Sequence, residues 1–280
     1  MNYFSKLFGN TKQTIKFLAL TSLIISLFGA LLPFFFLIIT LISDRNIDFT
    51  FTLNVLTDDR FVSSLENSLL LSFFSATIIT TLSCIGALLL RKIDLTGNKL
   101  LYGLAIIPAF IPDQVFGIAG RMLFDPTIGL LSDQIAKNIL VDRYSSLLLV
   151  SFILILQWLP LLIILCDAII AAIPIDLYHS TKMDFKSFFL QTRYTYFPNI
   201  KEVLILIFAI MFLIGFRQHE LAFELTSSSS GFASETWSLW NYKQVFSFNQ
   251  NSKAVIEALS VLILLMIPIL TIKKMAQKLS

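Results

Sequence analysis

The sequence predicts an all-α protein, a polytopic membrane bundle of six transmembrane helices with a long polar loop on its cytoplasmic side. Three observations carry this. Apolar residues fill 56% of the 280 positions and charged residues only 14%, with a mean hydropathy of +0.80, well beyond a soluble domain. The apolar residues fall in blocks of about 20 or more, enough to cross roughly 30 Å of hydrocarbon at about 1.5 Å per residue. The basic residues cluster in alternate links between those blocks.

The spans are expected at about 17–42, 67–90, 100–124, 146–172, 202–223 and 254–272. The first follows Lys6, Lys12 and Lys16, is too long for the core of a cleaved signal peptide and lacks a small-residue cleavage site, so it reads as a retained anchor. The third is interrupted by Pro108, Pro112, Asp113 and Arg121, so it is expected to face protein or water rather than lipid. Pro174 is expected to end the fourth. The sixth precedes a tail with Lys273, Lys274 and Lys278.

Orientation follows from Lys and Arg. The N-terminal segment, the Arg91–Lys99 link, the stretch from Ile173 to Lys201 and the tail hold 13 of the 21 basic residues. The other links carry most of the acids, among them Asp44, Asp48, Asp58, Asp59, Asp133, Asp142, Glu220, Glu224 and Glu235. Both termini and the long loop are therefore expected in the cytoplasm. A formal charge of +3 distributed in this way speaks for membrane orientation and against nucleic-acid binding. Ser227 to Ser230 reads as a flexible external link. Cys84 and Cys166 lie inside apolar runs and read as small buried hydrophobes.

The loop from Ile173 to Pro198 is the most informative stretch. Asp176 can cap a short helix through Leu177, Tyr178 and Thr181, and Asp184 can cap a second helix with Phe185, Phe188, Phe189, Thr192 and Tyr196 at helical spacing, stopped by Pro198. Such a knob either fits a groove in another protein, anchored by Tyr178 and Phe185, or lies on the lipid headgroups.

This loop resembles the signature of permease subunits of binding-protein-dependent ABC importers: Glu-Ala-Ala, two residues, Asp-Gly, nine residues, then Ile-x-Leu-Pro. His179, Ser180 and Thr181 stand where Glu-Ala-Ala would be, Asp184 keeps the Asp, Phe185 replaces the Gly, and Thr195, Phe197 and Pro198 close the motif. The preceding Ala172-Ile173-Pro174-x-Asp176-Leu177-Tyr178 is similar to the lead-in of the carbohydrate branch, that of the maltose and glycerol-phosphate permeases. The likeness extends over about four-fifths of the chain, through Glu66-Asn67-Ser68, Phe124 to Gly129 and Leu131-Ser132, Phe223-Glu224-Leu225-Thr226, Thr236, Leu239, Tyr242, Phe246, Ala254 and Ala258.

The resemblance implies a single transporter transmembrane domain over 1–280, with a core at 60–275 and the span at 17–42 as an N-terminal addition. It implies a second permease forming a heterodimer, two ABC ATPase subunits that carry the ATP and Mg, and an external solute-binding protein. Tyr178, His179, Ser180, Thr181, Asp184, Phe185 and Pro198 would form the ATPase-coupling loop. The solute it implies is a carbohydrate or polyol, with a polyamine, iron or another small solute as the alternative. The chain departs from the pattern at His179, at Phe185 and at Ser227–Gly231, where the carbohydrate branch reads Gly-Gly-Pro. His179 removes the acid that in the family ties the loop to an ATPase; departures of this kind suit either the less regular member of a heterodimer or a diverged substrate class.

Self-contained chemistry is not legible. No phosphate loop is present, since Gly9-Asn10-Thr11-Lys12 has neither the spacing nor a preceding strand. The chain is expected to bind no cofactor and to be no enzyme. A polytopic membrane enzyme would show clustered acids or histidines at one face, whereas an assembly factor would need neither cavity nor ATPase. Polar residues at membrane depth are the candidates for a solute pathway: Gln157 and Trp158 on the fourth span, Asp167 near its inner end, and Arg217 and Gln218, with His219 and Glu220, near the outer end of the fifth. Each has a plainer reading: an ion pair for Asp167, packing for Trp158, surface charge for Arg217 and its neighbours.

Overall fold

A computed structural model describes residues 11–43, 47–92, 99–125, 129–130, 139–140, 142–185, 187–226 and 234–279. Among them every regular element is helical. In chain order these are α1 (Thr11–Ser43), α2 (Phe49–Leu56), α3 (Asp59–Lys92), α4 (Lys99–Phe110), α5 (Asp113–Phe124), α6 (Arg143–Ala171), α7 (Ile175–Asp184), α8 (Phe188–Gln191), α9 (Phe197–Phe216), α10 (Glu220–Thr226), α11 (Trp237–Phe246) and α12 (Asn251–Leu279). A π turn, Thr192–Tyr196, joins α8 to α9.

Among the described residues four stretches are long and apolar enough to cross a membrane, Ala19–Ser43, Asp59–Lys92, Arg143–Ala171 and Phe188–Phe216. This is a multi-pass membrane protein. The expected third span is not one helix: α4 and α5 meet at 90° across Ile111 and Pro112. Pro112 has no N–H and sits just before α5, so the α4 ladder cannot run through it. The fifth span also needs correcting. It starts at Phe188 and ends at Phe216, and α10 is a separate short helix. The sixth expected span lies in α12, whose side chains are described as far as Met266.

The core forms where α3, α6 and α9 meet. Ala76, Ile79 and Ala87 from α3, Ile155, Leu162, Cys166 and Ile170 from α6, and Ile200, Ile207 and Met211 from α9 make one buried cluster. Lipid supplies no hydrophobic drive between helices, so close packing must hold them together, and small residues at the contact make that possible. Along α3, Ser64, Ser68, Ser72, Ser75 and Ser83 are buried. Facing them, Gly215 of α9 lies so near that a Cβ would sit 2.9 Å from Ser72 Cα. The serine hydroxyls return to their own helix, Ser75 Oγ donating to Leu71 O at 2.7 Å and Ser83 Oγ to Ile79 O at 2.6 Å.

A second cluster, with Leu71, Val150, Leu154, Leu221 and Leu225, fixes α10 against α3 and α6. Gly117 lets α5 lie on α10, where a Cβ would meet Glu224 Cβ at 2.6 Å. A third cluster of Phe61, Phe216, Trp240 and Val261 ties in α11 and α12. At this end Asp142 caps α6, accepting from Ser145 N at 3.0 Å and Ser145 Oγ at 2.9 Å. Those bonds hold its carboxyl below the usual carboxylate range. By contrast, α1 has no buried residue in its apolar stretch.

Candidate functional site

The loop after α6 folds as helix, turn, helix, but with boundaries other than the residue pattern predicts. Asp176 lies in the first turn of α7, and Ser180 Oγ donates to Leu177 O at 3.0 Å. Asp184 does not cap the second helix; it closes the first, and Ser187 precedes α8 instead. Pro198 does not stop a helix either. It stands at the start of α9, where a missing N–H is tolerated. The residues before it absorb that missing donor in the π turn: Phe197 N donates to Thr192 O, and Asn199 Nδ2 donates to the Thr195 carbonyl at 2.6 Å.

Phe185, in the turn between α7 and α8, stacks on Tyr194 with ring centroids 5.1 Å apart and planes at 12°. Gln191 Nε2 donates to Phe185 O at 2.7 Å. Phe185 thus has ordinary backbone angles, since among the described non-glycine residues only Asn249 has positive φ. The turn uses a ring stack where the resemblance would place a glycine. Leu177, Met183, Phe189, Tyr194 and Phe197 are exposed around it, and so is Asp184. Tyr178, His179 and Thr181 belong to the α7 backbone, and their side chains lie outside the described residues. An exposed carboxylate in the last turn of a helix opposes the helix dipole, so local stability does not explain Asp184.

Three polar knots sit between the helices. At the loop end of the bundle, Asp167 takes Arg91 Nε at 2.6 Å and Tyr102 OH at 2.7 Å, while Arg91 Nη2 reaches the Asp167 carbonyl at 3.0 Å. One carboxylate thereby joins α3, α4 and α6. Midway along α6, Gln157 Nε2 donates to Ile111 O at 3.0 Å and Asp113 Oδ1 at 2.8 Å, clasping the break between α4 and α5. Its Oε1 and the neighbouring Trp158 Nε1 are buried without a partner among the described residues. Trp158 itself packs into both large clusters.

The third knot is at the far end. Glu235, buried, accepts from Lys243 at 2.7 Å and Arg60 at 3.2 Å. Asn67 Nδ2 donates to Glu235 O at 2.9 Å while Arg143 Nε donates to Asn67 Oδ1 at 2.8 Å. Ser68 Oγ accepts from Trp237 N at 2.8 Å, and Thr236 Oγ1 donates to Gln218 O at 2.8 Å. Asn67, Ser68 and Thr236, far apart in sequence, therefore form one joint. Of the other expected pathway residues, Arg217 is exposed at the end of α9, and Gln218 is buried with Nε2 unpartnered. Arg91 and Tyr102 were not among the expected site residues, although Arg91 sits in a basic link.

Beside this knot a cleft of about 190 Å³ opens between α5, α10 and α11, lined by Gln114, His219, Glu220, Phe223, Glu224, Leu239 and Tyr242.

No family profile matches the chain. A chain from the crystal structure of a bacterial ABC transporter involved in the import of the acidic polysaccharide alginate superposes with a TM-score of 0.80 at 16% identity, covering 98% of this chain and 99% of that one. The fold is that of an ABC transporter permease. A chain from the bacterial alginate ABC transporter in complex with an alginate pentasaccharide-bound periplasmic protein gives 0.77 at 15% identity, over 98% of each. In sequence, the probable ABC transporter permease protein of Pyrococcus horikoshii is 28% identical over 184 residues, 62% of this chain. The chain spans about 62% of the length of that curated relative. Within the permease fold, the motifs of the resemblance fall on the segment α7 to α9, on the Asn67–Thr236 joint, and on α10, α11 and α12 through Phe223 to Thr226, Leu239, Tyr242, Phe246, Ala254 and Ala258. Leu131-Ser132 and the Ser227–Gly231 segment lie outside the described residues.

Proposed function

We propose that this chain is a transmembrane permease subunit of an ATP-driven importer in a bacterial plasma membrane, with both termini in the cytoplasm. It pairs with a second permease, two ATPase subunits and an external solute-binding protein, and together the two permeases form an alternating-access path for a carbohydrate or polyol. The observation that carries this reading is the exposed loop built around α7 and α8, lying in a fold shared end to end with a chain of a polysaccharide importer. Exposed aromatic and aliphatic side chains next to an exposed acid supply what a protein contact uses, an apolar patch with a polar edge. The bundle supplies no bond chemistry, only a structure whose two states its partners bias differently.

Tyr178, His179, Ser180, Thr181, Asp184 and Phe185 would meet the ATPase, with Pro198 setting the end of the loop. Gln157, Trp158, Asp167, Arg217 and Gln218 would border the path. Isolation of the tagged chain from its native membrane should bring down a polypeptide with a Gly-x-x-x-x-Gly-Lys-Ser/Thr loop. Asp184→Lys or Tyr178→Ala should weaken that association roughly 30-fold, the equivalent of about 2 kcal/mol for an interface anchor. Unchanged association in both variants would mean that the loop rests on lipid.

A further inference from the structure

We infer that the cleft between α5, α10 and α11 is a solute subsite that accepts one uncharged sugar unit and rejects an acidic one. The inference rests on the importer reading above and deepens it by naming the charge of the solute. About 190 Å³ is below the roughly 300 Å³ at which pockets take drug-sized ligands, so the cleft holds a single ring.

The lining states the chemistry. His219 and Tyr242 lie with ring centroids 6.0 Å apart and planes at 28°, and Phe223 adds a third ring. These surfaces suit the C–H face of a pyranose. Around them stand acceptors and donors together: the carboxylates of Glu220 and Glu224, which only accept, the Gln114 amide and Tyr242 hydroxyl, which do both, and the imidazole of His219. A hydroxyl gives and accepts, so it uses every member of this set. An ammonium would leave the donors unused, and a carboxylate would leave the acceptors unused.

Charge separates the cases further. Glu220 and Glu224 are one helical turn apart, a like-charged pair that slightly destabilises α10. His219 Nε2 is 3.9 Å from Glu220 Oε1. Among the described residues no Lys or Arg lines the cleft. The cations of the neighbouring knot are engaged elsewhere, Lys243 and Arg60 with Glu235, and Arg143 with Asn67 and Glu66. An acidic sugar would thus meet two carboxylates, in contrast to the acidic polysaccharide that the structurally similar transporter imports.

Saturation-transfer NMR on the full chain in detergent, with maltotriose, trigalacturonate and fully deacetylated chitotriose as probes, tests this. Maltotriose should receive saturation and trigalacturonate none. Tyr242→Ala should cut the maltotriose signal roughly five-fold. The isosteric pair Glu220→Gln/Glu224→Gln should also weaken maltotriose and should let trigalacturonate bind. Equal binding of the acidic and neutral probes, preference for the cationic one, silence from all three, or indifference to the variants would each overturn the subsite. If maltotriose binds as expected while no ATPase is isolated with the chain, the importer reading falls and the subsite stands; the opposite pair of results removes the subsite alone.

Discussion

Asp167 shows what an acid at membrane depth requires. It is almost fully buried, and three donor contacts from Arg91 and Tyr102 surround its side chain and carbonyl. Removing one member of such a pair leaves the other charge stranded, which costs more than the pair itself contributes. Arg91→Gln should therefore destabilise the detergent-purified protein by about 2 kcal/mol or more, the lower end because Arg91 keeps part of its surface in solvent. Tyr102→Phe should cost about 1 kcal/mol. Thermal unfolding of the two variants gives the order, and a larger loss in Tyr102→Phe would show that the hydroxyl, not the ion pair, is the brace. Asp167 was readable from the sequence as needing a partner, but which cation would come was not, because Arg91 is 76 positions away and only the packing of α3 on α6 brings it close.

Helix contacts in this bundle depend on what is absent from side chains. Gly215→Leu should clash with the α3 backbone at Ser72 and cost about 1–3 kcal/mol, as overpacking does. Gly29→Leu on α1, with nothing within 4 Å of its would-be Cβ, should leave unfolding unchanged and serves as the internal control. Equal effects at the two sites would refute the close approach. Prolines mark where sequence reading succeeds and fails at this level. Pro108, Pro112 and Asp113 announced an interruption, and the interruption is there. That it would be a right-angle break rather than a kink was not legible, since Gln157, whose amide clasps both sides of it at Ile111 O and Asp113 Oδ1, comes from another helix. Pro198 was read as a stop because proline ends helices, yet it starts them equally well, and a π turn beforehand let the helix pass. Asp184 met the same ambiguity: its side chain suits a cap, but α8 begins at Phe188 behind Ser187, three residues later than a cap at Asp184 requires.

The alternating clusters of basic residues bear on the whole chain. With the orientation proposed above, Met183→Cys and Ser247→Cys, both exposed, should label on opposite faces. An impermeant maleimide should reach Ser247→Cys in intact cells and Met183→Cys only after permeabilisation. The reverse pattern would invert the topology and remove the ATPase from reach of the loop. The class, the helical make-up and four of the expected spans, the fifth with shifted bounds, were legible because apolar length is a direct record of bilayer thickness. The polar knots were not, since each is made by residues that meet only once the helices are packed.

The serines of α3 have a consequence for how this protein is made. Most of their hydroxyls donate to a carbonyl three or four residues back on the same helix. A helix whose serines satisfy themselves can leave the translocon alone, before any neighbour has been synthesised, without stranding those hydroxyls in hydrocarbon. Its face of small side chains then waits, already folded and at little cost in lipid, for α6 and α9 to arrive and recognise it by shape. Order of emergence along the ribosome is thereby uncoupled from order of assembly.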